Sequence, residues 1–227
     1  MPNGEDLAIL ARTLGIALAA TLLVVPPGLA LAVVFARRAG ALRTLVEAIA
    51  TLPLVLPPTA VGLLLLDALS PRSWLGRALV RASFDVLFDP KGAAIASAVI
   101  AFPLMVRAFR LSLEAVDRRL EQAARTLGAG PVDTFVTVTL PLMAPGLLTG
   151  VVLAFARSLS EFGATITFVS NIPGETRTLP IALYSLTQEP GGEAAALRLC
   201  AISVAVAFAA LLAAEGLARR LRRTIGG

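Results

Sequence analysis

The sequence contains no histidine and a single cysteine, Cys200, among its 227 residues. One cysteine cannot form a disulfide within the chain, and a His/Cys metal site has almost no ligands to draw on. Nucleophilic triads of the Ser-His-Asp or Cys-His kind are excluded because both need an imidazole. We therefore expect no catalytic residue, no metal site and no enzymatic activity here. We expect Cys200 to be a small apolar residue in a buried helix.

Charge is also scarce, since only 15% of the residues are charged while 57% are hydrophobic. The mean hydropathy of +0.83 is far above that of a soluble domain, so a lipid bilayer must solvate much of the chain. The sequence pI of about 10.9 would also suit nucleic-acid binding. However, the arginines are grouped at the ends of apolar stretches, which is typical of membrane orientation and indicates no nucleic-acid partner.

Five stretches are long and apolar enough for a membrane-spanning helix, which needs about 20 residues. Four of them contain proline, which favours helices that pack against protein or a wet cavity. In the first stretch, Pro26-Pro27 predicts a kink or break. The segment 178–188 is too short and polar to predict a sixth span, and we interpret it as a short helix or re-entrant piece. The predicted fold is an all-α polytopic membrane protein, with spans at 7–36, 44–69, 92–113, 141–169 and 194–218.

Three groups of arginines set the predicted orientation, because positive residues accumulate on the cytoplasmic side. With all three groups in the cytoplasm, five spans place the N-terminus outside and the C-terminus inside a bacterial or archaeal cytoplasmic membrane. Glu5 and Asp6 fit an outside N-terminus and argue against the basic start of a signal peptide. The groups are Arg37, Arg38 and Arg43; Arg107, Arg110, Arg118, Arg119 and Arg125; and Arg219, Arg220, Arg222 and Arg223.

A compact polar segment, 117–141, separates the third and fourth spans. Asp117 is a good N-cap and strong helix formers follow it. The residues Gly128, Gly130 and Pro131 then end the helix. A short charged helix between two spans is well suited to docking a soluble partner. From the charge pattern alone, a solvated connection with no partner is an equal alternative.

This segment resembles the EAA motif of ABC-importer permeases, in which EAA is followed by three residues, Gly, nine residues and Ile-x-Leu-Pro. Here Gln122-Ala123-Ala124 is followed at that spacing by Gly128 and by Val138-Thr139-Leu140-Pro141. Gln122 replaces the motif glutamate, with Glu121 directly before it, and Val138 replaces isoleucine. The resemblance implies a coupling helix at about 117–130 that contacts a separate ATPase through Leu120, Glu121, Gln122, Ala123, Ala124, Arg125, Leu127 and Gly128.

No G-x-x-x-x-G-K-[ST] string is present, so ATP and Mg²⁺ are expected on the partner ATPase. The resemblance implies a type I ABC-importer permease fold, with residues 7–218 as one transmembrane domain. It also implies a homodimer, two cytoplasmic ATPase subunits and a periplasmic or extracellular oxyanion-binding protein. One subunit with five spans has too little wall to enclose a channel, which favours a pathway on the two-fold axis of the homodimer. Transport is then expected to proceed by alternating access.

A second resemblance concerns the substrate. The strings EFGAT at 161–165, NIPGET at 171–176 and LPLVLPPTAVG at 52–62 resemble molybdate-transporter permeases, and the similarity covers nearly the whole chain. It implies molybdate as the transported anion. Sulfate permeases share a related EFG and NIPG pattern, so sulfate, thiosulfate and tungstate remain alternatives. A secondary transporter and a membrane scaffold are alternatives from other classes.

Arg157 and Glu161 lie four residues apart on one face of the fourth span. An unpaired charge at membrane depth costs about 3 kcal/mol, so such residues usually face protein or water. The pair either lines the anion pathway or is an ion pair that locks its helix against a neighbour. Polar residues just after it suit transient anion contacts or ordinary interhelical hydrogen bonds. The candidate pathway or gate comprises Arg157, Glu161, Thr165, Thr167, Ser170 and Asn171.

Overall fold

The computed structural model describes residues 3–37 and 40–225, and every regular element within them is helical. Arg38 lies outside these residues, as do the side chains of Arg219, Arg220, Arg222 and Arg223. A π-helical stretch, Phe135–Thr139, joins α7 to α8. The α-helices are α1 (Gly4–Arg37), α2 (Ala41–Val55), α3 (Pro58–Leu69), α4 (Trp74–Arg81), α5 (Pro90–Glu114), α6 (Arg118–Thr126), α7 (Pro131–Thr134), α8 (Leu140–Leu159), α9 (Gly163–Val169), α10 (Leu179–Gln188) and α11 (Glu193–Ile225).

Up to five segments of the described chain are long and apolar enough to cross a membrane. Four are single helical runs, and the pair α2 and α3 passes the same test as one span bent by 115°. The predicted all-α polytopic fold is therefore confirmed. The predicted third span is close to α5, because Asp89 caps this helix and Pro90 begins it. The four single runs are Gly4–Arg37, Pro90–Glu114, Pro131–Leu159 and Glu193–Leu217.

The proline pair in the first span does not break it. Helix α1 runs continuously through Pro26 and Pro27, so of the predicted kink or break, the break does not occur. Each proline removes one backbone hydrogen bond, but the next residue, Gly28, packs directly on α5. A Cβ built at Gly28 would lie 3.5 Å from the sulfur of Met105. Extensive packing of α1 along α5 compensates for the lost backbone bonds.

The second span bends where Leu56 precedes two prolines. Leu56 has φ −69° and ψ 145°, the extended conformation that a following proline favours. Pro58 then begins α3 at a position where its missing N–H has no consequence. The bend is therefore encoded locally by the sequence Leu56-Pro57-Pro58.

The fourth span differs from the prediction at both ends. Its helical run begins at Pro131 rather than Pro141, and α8 ends at Leu159, with 160–162 separating it from α9. Pro141 has no N–H to donate to the carbonyl four residues earlier, and just before it Leu140 donates to the Phe135 carbonyl, five residues earlier. This wider pattern produces the π-helical stretch. The span is thus one run from Pro131 to Leu159 followed by the separate helix α9.

The centre of the bundle is formed by α1, α5 and α8. Helices α5 and α8 approach closely at two glycines on one face of α8. A Cβ at Gly150 would lie 2.7 Å from the Phe109 ring, and one at Gly146 would lie 2.3 Å from the Ser112 side chain. Small residues four positions apart let membrane helices approach in this way. The buried side chains around them include Ala20, Val24, Ala101, Met105 and Ala154.

Helices α10 and α11 lie beside this centre. Helix α10 has ten residues, or about 15 Å of helix, which is too short to cross a hydrocarbon layer of about 30 Å. The interpretation of 178–188 as a short helix is confirmed. Cys200 on α11 is exposed, so the prediction of a buried cysteine is wrong. In the apolar 18-residue stretch of α11, only 11% of the residues are buried. The rest of the chain therefore covers few sides of this helix.

Candidate functional site

The predicted coupling helix is α6, between α5 and the run that leads into the fourth span. Asp117 caps it, because its side chain accepts a hydrogen bond from the backbone N–H of Arg119 at 2.9 Å. The chain leaves the helix at Gly128, whose φ of +95° lies in a region that glycine adopts without strain. No residue of α6 is buried. This chain therefore leaves most of the surface of α6 uncovered.

One carboxylate anchors α6 to the rest of the molecule. Oε1 of Glu121 lies 2.6 Å from Nη2 of Arg37, at the end of α1. The same oxygen accepts a hydrogen bond of 2.6 Å from the Thr139 hydroxyl, at the end of the π-helical stretch. Arg118 adds a second link to α1, donating to the Ala36 carbonyl at 3.3 Å. Glu121, with 14% of its side chain exposed, is thus oriented towards protein.

Beside this anchor, α6 borders an open polar cleft. A polar cleft of about 260 Å³ lies between α6 and the end of α1, lined by Arg37, Arg118, Glu121, Gln122 and Arg125. Beyond α6, Leu127 is 90% exposed, so this chain leaves its apolar side chain uncovered. Of the coupling candidates, Glu121 and Ala124 are half-buried. The exposed ones are Leu120, Gln122, Ala123, Arg125, Leu127 and Gly128.

The ion pair of the fourth span lies at the break between α8 and α9. Glu161 is 2% exposed, and its Oε2 lies 2.8 Å from Nη2 of Arg157. Its Oε1 accepts a hydrogen bond from the backbone N–H of Ala164 at 2.8 Å, so the carboxylate also caps the first turn of α9. The Arg157 side chain keeps 27% exposure. A buried carboxylate therefore holds a guanidinium that remains accessible.

The breaks in the second and fourth spans lie against each other. A Cβ at Gly163 would lie 2.8 Å from Cβ of Pro58, and one at Gly62 would lie 2.6 Å from the carbonyl oxygen of Ala164. Helices α3 and α9 thus touch at a spacing that requires glycine at both positions. Interrupted spans packed in this way are typical of transport sites, because unwound backbone supplies polar groups at membrane depth.

Two of the candidate hydroxyls bond within their own helix. The Thr165 hydroxyl donates to the Phe162 carbonyl at 2.9 Å, and the Thr167 hydroxyl donates to the Gly163 carbonyl at 2.8 Å. A hydroxyl has a single proton, so in this arrangement neither donates to an anion. Both residues lie on α9 close to the break.

Ser170 and Asn171 lie farther along, in the loop between α9 and α10. Ser170 is exposed with a φ of +65°, and its carbonyl accepts a hydrogen bond from the Thr176 hydroxyl. Asn171 donates to the Ser185 hydroxyl at 2.8 Å and accepts from Nε of Arg177 at 2.9 Å. The structure therefore divides the six candidates into a cluster of four at the break between α8 and α9 and a pair in the loop between α9 and α10.

Two residues of α1 that sequence reasoning missed hold this loop in place. Arg12 donates to the carbonyl of Gly174 at 2.7 Å and to that of Arg177 at 3.3 Å. The Thr13 hydroxyl accepts a hydrogen bond from the Leu179 backbone N–H at 2.8 Å. Arg12 is an isolated charge in a long apolar stretch, and that signal would have identified it.

A further clamp joins the first and last spans. Asp6 is 4% exposed and accepts a hydrogen bond from Nε of Arg198 at 2.8 Å. Asn3 and Asp6 also exchange backbone-to-side-chain bonds of 3.0 and 2.8 Å, which cap the start of α1. Among residues 3–37 and 40–225, no three or more Asp, Glu, His or Cys side chains are grouped as a metal site would require.

A family model described as "Binding-protein-dependent transport system inner membrane component" matches residues 28–223. The chain is 57% identical over 185 residues to the molybdenum transport system permease protein ModB of Escherichia coli (strain K12), covering 81% of each. It is 46% identical over 224 residues to the Haemophilus influenzae protein of that name, covering 97% of each. A chain from "Inward facing conformations of the MetNI methionine ABC transporter" matches with a TM-score of 0.71 at 17% identity, over 97% of this chain and 99% of that one. This structural likeness shows the fold.

Proposed function

Because this chain belongs to the family of binding-protein-dependent transport system inner membrane components, we propose that it is the permease of an ATP-driven molybdate importer. The observation that carries the proposal is the similarity to molybdenum transport permeases along almost the whole length of the chain. The chain is a transport subunit rather than an enzyme, and ATP is used by a separate ATPase. The permease resides in the inner membrane as a multi-pass protein.

The domain assignment and the orientation are part of this proposal. Residues 7–218 form one transmembrane domain, with the coupling helix at 117–130 in the cytoplasm, the N-terminus outside and the C-terminus inside. The separation of charges supports this orientation. Arg37 pairs with Glu121, and Arg110 pairs with Glu47, at the arginine-rich end of the bundle. The acidic start of α1 lies at the other end.

The proposed assembly is a permease homodimer with two ATPase subunits and an external oxyanion-binding protein. The surface of α2 supports a second copy, since none of its residues is buried by this chain. The exposed face of α6 supports ATPase docking. ATP binding closes the ATPase pair and moves the two coupling helices together. That motion is passed to the spans, which open alternately to the outside and to the cytoplasm.

Within this mechanism, Arg157 attracts the dianion and Glu161 limits how tightly it is held. The ion pair leaves the Arg157 guanidinium partly accessible to an anion. The neighbouring Glu161 carboxylate offsets part of its positive charge. A weak contact suits transport, because a tightly held anion would not leave. Thr165 and Thr167 shape the cluster beside Arg157. Ser170 and Asn171 belong to the outer loop between α9 and α10, which faces the binding protein.

Reconstitution with the candidate ATPase and binding protein tests the function directly. We expect ATP-dependent uptake of labelled molybdate into proteoliposomes that excess sulfate does not suppress. If sulfate competes more strongly than unlabelled molybdate, the substrate is a different oxyanion. Uptake by the assembled proteins that does not depend on ATP would refute the importer and point to a secondary transporter.

A further inference from the structure

Three separate elements meet at the Glu121 carboxylate. Glu121 belongs to α6, Arg37 to the end of α1, and Thr139 to the end of the π-helical stretch. Both contacts measure 2.6 Å and converge on one oxygen atom. Thr139 is fully buried, so its hydroxyl cannot turn to water instead. We call Arg37, Glu121 and Thr139 the carboxylate brace.

The brace ends at the π-helical stretch of the fourth span. The π-helical stretch has a wider hydrogen-bonding pattern than the α-helix, and such stretches occur mostly as short insertions, frequently at functional sites. It lies directly between α7 and α8, and α8 leads to the break beside Glu161. A displacement of α6 therefore reaches the base of α8 through Thr139 and the base of α1 through Arg37.

We propose that Glu121 is a positioning residue that makes α1 and α8 move together with the coupling helix. This inference rests on the proposed function and adds a role that the motif position does not assign. Gln122, the residue aligned with the motif glutamate, is exposed. Glu121 instead faces inwards, where its charge holds α6 in a fixed orientation against two spans. The exposed residues of α6 receive the motion, and the carboxylate brace transmits it.

The test measures coupling rather than activity alone. The permease, its ATPase and its binding protein are reconstituted in proteoliposomes, and ATP hydrolysis and molybdate uptake are measured in the same preparation. For Glu121→Gln we expect the number of ATP molecules hydrolysed per molybdate to rise about fivefold, the scale set by losing a partly exposed charge-assisted bond. Thr139→Val, which keeps the ion pair, should raise the ratio less. A purely structural defect would lower hydrolysis and uptake together.

Two further variants complete the test. Asp133→Asn removes an exposed negative charge from α7 without touching the brace, and should leave the ratio unchanged. Exchanging the charges in Arg37→Glu with Glu121→Arg should restore much of the coupling, because the pair is re-formed. If Glu121→Gln does not assemble, the ATP-to-molybdate ratios of Thr139→Val and of the charge exchange still test the proposal. A wild-type ratio in both Glu121→Gln and Thr139→Val would overturn the brace, whereas wild-type protein that fails to import molybdate would overturn the proposed function instead.

Discussion

Substitutions at Glu161 test whether Arg157 faces a wet pathway or lipid. The carboxylate makes two contacts, the cap on the Ala164 N–H at 2.8 Å and the ion pair with Arg157 at 2.8 Å. A hydrogen bond to a charged group contributes about 1.5–3 kcal/mol. A partly exposed ion pair contributes about 1 kcal/mol or less. Glu161→Gln keeps an acceptor for the cap, so it should cost about 1 kcal/mol of unfolding free energy by this reasoning.

Glu161→Ala loses both contacts and should cost about 1.5–4 kcal/mol, the sum of the two contributions. The assay is SDS unfolding of the purified permease in lipid bicelles, with Arg157→Gln as the matched variant that removes only the ion pair. If Arg157 faced lipid, Glu161→Gln would leave an unpaired guanidinium in hydrocarbon and cost about 3 kcal/mol. A loss of that size in Glu161→Gln would refute the pathway assignment.

Molybdate transport by Glu161→Gln tests the position of Arg157 in a second way. Without the carboxylate, Arg157 should hold a dianion more tightly, so Glu161→Gln should lower both the apparent KM for molybdate and the turnover. An unchanged KM together with a small stability loss would mean that Arg157 contacts water but lies off the anion route.

Two more substitutions test the packing of the spans. Gly150→Ala places a methyl group 2.7 Å from a facing phenylalanine ring and should cost about 1–3 kcal/mol of stability in the same unfolding assay, while Gly15→Ala, where nothing lies within 4 Å, should not destabilise. Thr13→Val leaves the buried Leu179 N–H without its acceptor and should cost about 1–3 kcal/mol, with Thr149→Val, whose hydroxyl bonds only to its own helix, as control. For each pair, an equal loss of stability in the test variant and its control would contradict that prediction.

The sequence predicts most of the span pattern because hydropathy and helix length are local properties. Helix α5 follows from its apolar run and the cap at Asp89. The bend at Leu56 follows from the prolines after it. Two points along the spans are not predictable from the local sequence. Pro26-Pro27 does not break α1, since packing on α5 compensates. The break after Leu159 contains no proline and depends on α3 packing against α9.

The site is less predictable because its contacts join distant parts of the chain. The motif spacing locates α6, yet it does not reveal that Glu121 rather than Gln122 turns inwards. That orientation depends on Arg37, which lies 84 residues away. Likewise, the sequence suggests that the hydroxyls of Thr165 and Thr167 donate to an anion, but in the structure they donate hydrogen bonds to backbone carbonyls. The division of the pathway candidates between the break and the loop also needs the fold.

The clamp between Asp6 and Arg198 has a consequence for synthesis of the protein. The two residues are 192 positions apart, so α1 is made long before its partner exists. At about 5–20 residues per second, Asp6 waits roughly 10–40 seconds before the ribosome adds Arg198. During that interval the start of the first span is not yet locked by this clamp. The native arrangement of the first span can therefore be completed only after the last span has been translated and inserted.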